Sequence, residues 1–148
     1  MKYLFAVLLL TGCAIGQSPK KVIWVDYQGS DAVGTKLVFE FKEEVRKSSG
    51  YQLEMEKKVD LGGDYSIWMD FLSVDTADSG LSSAVSVVAT TGARNFQRTC
   101  EHNVRMIHEV LVVGKDRTQE KAHQLLADLD KALHDAALCN GTETASAK

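Results

Sequence analysis

One proline, three cysteines and no long hydrophobic segment set the first limits on this 148-residue chain. With a single proline, a polyproline spacer or a Pro-rich recognition stretch is excluded. The cysteines include no CxxC pair, which removes the zinc-ribbon and thioredoxin-type redox motifs. The longest apolar run, Tyr3 to Leu10, falls far short of the about 20 residues that cross a bilayer as a helix. Positive charge is also scarce. Lys and Arg number 17 against 20 Asp and Glu, a formal charge of -3, so the clustered basic face of a nucleic-acid binder is absent. Lys20-Lys21 and Lys57-Lys58 are isolated pairs that read as solvated ends. What remains is ordinary: 45% hydrophobic and 25% charged residues, enough for one domain with its own core.

The start of the chain carries an address. Met1-Lys2 followed by Tyr3 to Leu10 is a short positive segment before a short apolar one, the pattern of a secretory signal over residues 1–16. Two ways of processing it compete. Leu10-Thr11-Gly12-Cys13 resembles the bacterial lipobox, in which cleavage before Cys13 leaves that cysteine acylated at the mature N-terminus. Ala14-Ile15-Gly16 is instead a small-x-small site for cleavage before Gln17. Both export the chain, to the periplasm or to an outer-membrane anchor, with contact to membrane only through an N-terminal lipid. Losing Lys2 with the leader lowers the formal charge to -4. Cys100 and Cys139 are then left as a pair in an oxidising compartment. A bridge would close a loop of about 40 residues and contribute roughly 4 kcal/mol in the chain-entropy account; two free buried thiols are the alternative.

The body, residues 21–139, reads as one α+β domain of order β-α-β-β-β-β-α. Val22 to Tyr27 is a β-branched, apolar run suited to a strand buried on both faces. Ser30 or Asp31 can cap the helix that follows, and Val33, Gly34, Leu37, Val38, Phe41 and Val45 share one side of it, with Gly34 allowing close approach to the sheet. Ser48-Ser49-Gly50 ends the helix. Tyr51 to Lys57 alternates as a half-wet strand, with Tyr51, Leu53 and Met55 on the dry side. Tyr65 to Val74 puts Ile67, Met69 and Phe71 on one side and Trp68 and Leu72 on the other, a long and central strand. Ala84–Thr91 and Val104–Val113 complete the strands. The final helix has Asp116 and Gln119 at capping-box spacing and an apolar stripe from Ala122 to Ala136. The first βαβ unit is expected as a right-handed parallel crossover, strands three to five as an antiparallel meander, and two helices pack on the mixed sheet. No internal repeat stands out. Residues 140–148 are small and polar, a disordered tail.

Gly29 to Lys36 has two glycines at P-loop spacing, but Thr35-Lys36 inverts the required order and Asp31 places negative charge where a phosphate must sit. A capped helix start explains it better. Asp26, at the end of the first strand, and Asp31 are the candidate ligand-facing carboxylates; Asp70 and Asp75 are further strand-end candidates for acid/base or hydrolytic chemistry. Solvated strand ends are the better account of the strand-end aspartates. His123 and His134 stand about 16 Å apart along one helix and cannot share an ion, and Cys100 with His102 lacks further ligands. Ser79, Ser82 and Ser83 lack the nucleophile elbow. No metal, cofactor or catalytic residue is assigned.

The opening Val22-Ile23-Trp24-Val25-Asp26-Tyr27, continuing Asp31-Ala32-Val33-Gly34, resembles that of penicillin-binding-protein-activator lipoproteins and curli-secretion-like α/β domains. The resemblance implies a non-catalytic binding or accessory role at the envelope, with a protein or glycan partner and no transferable site residues. A small periplasmic hydrolase around Asp26 and an immunity or inhibitor lipoprotein are the other readings.

Overall fold

The computed structural model describes residues 20–55, 66–91 and 105–142. The N-terminal segment with Cys13, Cys100 and residues 143–148 lie outside them, as does the side chain of Cys139, so the expected processing and the expected Cys100–Cys139 pairing fall outside the described residues.

Strands β1 (Lys21–Gln28), β2 (Tyr51–Glu54), β3 (Ser66–Asp75), β4 (Ser82–Thr91) and β5 (Arg105–Gly114) form one sheet of order β2-β1-β3-β4-β5. β1 runs parallel to both β2 and β3, while β3, β4 and β5 form an antiparallel meander. Helix α1 (Ala32–Lys47) joins β1 to β2, and α2 (Thr118–Thr142) follows β5. The fold is therefore α+β, a mixed five-stranded sheet packed by two helices.

Sequence periodicity decides which sheet face is covered. Strand residues alternate sides, and Ile23, Ile67, Met69, Phe71, Val85, Val87 and Leu111 all point to the helix layer, where each is at most 9% exposed. Against them α1 lays the six residues its 3.6-residue period singles out, Val33, Gly34, Leu37, Val38, Phe41 and Val45, and α2 lays Ala122, Leu125, Leu129 and Leu133. Phe41 meets Phe71 with ring centroids 5.3 Å apart and tilted by 54°, the geometry aromatic quadrupoles favour. Fully burying one such side chain is worth about 1.5–3 kcal/mol.

Three local expectations shift. β2 ends at Glu54, leaving Met55 73% exposed, because this edge strand pairs on one side only, with Lys21 to Trp24. A 3-10 turn over Lys115–Arg117 stands where the Asp116–Gln119 box was expected, so that α2 starts at Thr118. At its far end α2 runs to Thr142 rather than giving way to a tail at 140, since each added residue gains a backbone bond once a helix is nucleated.

Candidate functional site

Among the described residues no helix lies on the opposite sheet face. Its residues are those of the other phase: Trp24, Asp26, Trp68, Asp70, Leu72, Val74, Val110 and Val112, of which Leu72, Val74, Val110 and Val112 are 52–70% exposed. At the end of this face near β2 the surface is built differently. β1 reads Ile23-Trp24-Val25-Asp26-Tyr27 and β3 reads Ile67-Trp68-Met69-Asp70-Phe71, two copies of Ile-Trp-x-Asp-aromatic. The parallel register lays one copy against the other residue for residue, with Trp24 beside Trp68 and Asp26 beside Asp70. This is a short repeat within the chain, where the sequence reading saw none.

The pairing has direct chemical consequences. Adjacent strands stand about 4.8 Å apart, so two carboxylates and two indoles sit side by side on one face. Glu54, the register partner of Trp24 on β2, adds a third carboxylate. Together these five side chains, with Met55, line a cavity of ≈ 240 Å³.

The described residues do not compensate the charge in this cavity. Among the described residues, no Lys, Arg or His forms an ion pair with Asp26, Asp70 or Glu54. Asp26 accepts from the Tyr27 backbone N–H at 2.9 Å, and Glu54 accepts from the Gln52 side-chain amide at 3.1 Å. Like charges about 5 Å apart repel by about 1 kcal/mol even at the dielectric of water. Trp24 is only 7% exposed. Nε1 of Trp68 is buried without a partner among the described residues. Indole N–H groups in buried settings normally find one.

Asp31 occupies a different place and does a different job. It caps α1 on the helix side of the sheet: its carboxylate accepts the Gly34 N–H at 2.6 Å and the hydroxyls of Ser73 on β3 and Ser83 on β4. Tyr27 extends the cluster, its hydroxyl 2.9 Å from that of Ser73. Burial pushes the Asp31 carboxyl up, but the Ser73, Ser83 and Gly34 donors outweigh it and hold it below its ordinary value. Gly34 lets this clasp close, for a Cβ there would stand 2.0 Å from Ser73 Oγ. Asp26 and Asp31, the two candidate carboxylates of the sequence, thus lie on opposite faces.

The remaining candidates are held locally. The Asp75 carboxylate accepts from the Ala77, Ser79 and Gly80 backbone N–H groups and shapes the β3–β4 turn, which holds it below its ordinary value. Gly80 at φ 64 needs a glycine there. Lys36 reaches the Lys115 carbonyl at 3.3 Å, away from the start of α1. His123 approaches Glu44 across the two helices at 3.5 Å. Among the described residues no three His, Cys, Asp or Glu side chains are grouped to hold a metal ion.

Sequence alone offers Asp26 and Asp70 without bringing them together, and it does not mark Trp24, Trp68 and Glu54 as ligand-facing. The doubled Ile-Trp-x-Asp-aromatic pattern was the available signal. No protein-family model matches the chain, and no curated protein is significantly similar to it.

Proposed function

We propose that this protein is an exported module of the bacterial envelope that works by binding rather than by catalysis, and that it binds through the Trp24–Trp68 cavity. One observation carries the reading: strand register sets Trp24 beside Trp68 and Asp26 beside Asp70, and with Glu54 they line one open hollow whose carboxylates form no ion pair among the described residues. Interior packing does not need such a group, whereas few convergent polar groups with aromatic walls are what ligand sites use. Export rests on the N-terminal segment, with Cys13 as lipid anchor or Gln17 as first residue. The partner is a component of the envelope, a protein or a glycan, met in the periplasm or at the outer membrane.

The hydrolase reading draws on the same Asp26–Asp70 adjacency, since paired carboxylates about 5 Å apart serve retaining glycosidases. Hydrolytic sites also close over their substrate and expel water, and both aspartates are exposed at an open hollow. Binding is therefore the better account.

The test compares wild type with Asp70→Asn in capture from solubilised envelopes, together with turnover screens on glycan, ester and peptide substrates. Binding predicts a retained component that the variant loses at unchanged folding, and no turnover. Turnover abolished by Asp26→Ala would establish the hydrolase instead. Intact mass of the native protein reads export: a diacylated start at Cys13 or a start at Gln17 supports it, and the full chain found in the cytosol with reduced thiols overturns it.

A further inference from the structure

We infer that the Trp24–Trp68 cavity takes an organic cation, an ammonium or guanidinium group on an apolar stem, presented as a lysine or arginine side chain of a partner peptide. The inference rests on the binding reading above and supplies its ligand chemistry.

Three features of the cavity point the same way. First, Asp26, Asp70 and Glu54 line the cavity without a cationic partner among the described residues; a neutral ligand covering them would strip water from charge and return nothing, whereas a cation compensates it. Second, the walls are indoles, whose negative π-faces attract ammonium and guanidinium groups more strongly than any other side chain. Third, the size is right. At ≈ 240 Å³ the hollow is smaller than the roughly 300–1,000 Å³ of drug and cofactor pockets and suits a single side chain. A peptide also answers the indole N–H of Trp68, which lines the cavity and is buried without an acceptor among the described residues, because a backbone carbonyl beside the basic side chain can accept from it. A metal ion would leave both indoles unused, and the carboxylates are not grouped to hold one. The chain's overall negative charge favours approach of a basic segment.

The sequence provides its own reporter: the chain has two tryptophans and both line the cavity. Intrinsic fluorescence of the full chain is followed during titration with acetylated, amidated tripeptides of lysine, arginine and glutamine, with spermidine, and with a neutral chitin oligosaccharide. A saturable emission shift with the lysine and arginine peptides, weakened by salt and absent with the glutamine peptide, supports the inference. Asp26→Asn/Asp70→Asn is expected to weaken that binding at least tenfold; Glu54→Gln, at the strand edge, provides a milder variant with a several-fold loss should the double variant fail to fold. Spermidine binding more tightly than the peptides keeps the cationic chemistry and assigns it to a free polyamine. Equal shifts with the glutamine peptide, or a shift with the oligosaccharide alone, overturn the cationic ligand while leaving a binding cavity. No shift with any probe overturns it as well, and if envelope capture also survives Asp70→Asn, the binding reading falls with it.

Discussion

Gly34→Ala tests how closely α1 sits on the sheet. The added methyl would stand 2.0 Å from Ser73 Oγ, 2.5 Å from Ser73 Cβ and 2.9 Å from an Asp31 carboxylate oxygen, distances that real Cβ atoms do not show. Ser73 belongs to the central strand β3 and cannot swing away, because its Cβ is itself in the way. Two effects oppose each other. Replacing glycine by alanine in a helix gains up to about 1 kcal/mol of propensity, less in a first turn. Forcing one extra carbon into a packed contact costs about 1–3 kcal/mol, and displacing Ser73 breaks its bonds to Asp31 and Tyr27 at about 1 kcal/mol each. Steric cost wins, for a net loss of about 2–5 kcal/mol. In a domain of this size that lowers Tm by roughly 8–20 °C, read by circular dichroism with a parallel urea series. Gly34→Ala/Ser73→Ala should recover only part, since the Ser73 Cβ remains. An unchanged or raised Tm for Gly34→Ala would refute the close approach and with it the Asp31 clasp.

Asp31→Asn keeps an acceptor for the Gly34 N–H but offers one oxygen where the carboxylate offers two, and it should lose about 1–2 kcal/mol at neutral pH. The folded-state pKa of Asp31 lies below its ordinary 3.8, so its stabilisation is present above that value and is lost as pH falls from 3.8 toward the folded value; the gap between wild type and variant in urea midpoint should narrow there, and a constant gap would count against the assignment. Tyr51→Phe removes the hydroxyl that donates to Asp130 on α2 and should lower stability by about 1 kcal/mol. Burial first, then the bond to Asp130 and its charge, raise the Tyr51 phenol above its ordinary 10.0, so the advantage of wild type is present below pH 10.0 and should shrink as pH rises beyond it. A gap that widens in alkali would contradict this.

Much of the fold is legible along the chain because it is written at short range. The six buried residues of α1 follow from a 3.6-residue period, and the alternation in β3 assigns Trp68 and Asp70 to one face and Met69 and Phe71 to the other. Asp31 as cap and Gly34 as a close-approach position follow from residue chemistry at a helix start. The limits of β2 are not legible, since they depend on which four residues of β1 it pairs with. Nor is the Asp31–Ser73–Ser83 clasp, whose two serines stand on different strands remote in sequence from Asp31, with Ser83 reading as loop polarity when taken alone. The cavity is an intermediate case. Its tryptophans and aspartates are visible as two similar pentapeptides, but only the parallel pairing of β1 with β3 turns the similarity into a site. That pairing is a tertiary event: sequence-adjacent elements are the natural first guess for neighbours, and here β1 lies between β2 and β3.

The most direct test of the binding account is a two-dimensional NMR titration of the 15N-labelled chain with a lysine-containing tripeptide, following the two indole Nε1–H signals. The account predicts saturable shifts in both indole signals and in the backbone amides of Asp26, Glu54 and Asp70, with those of Gly34, Ala77 and Gly80 stationary. Shifts confined to the Asp31 clasp, or to Leu72, Val110 and Val112 with both indoles unmoved, would contradict it.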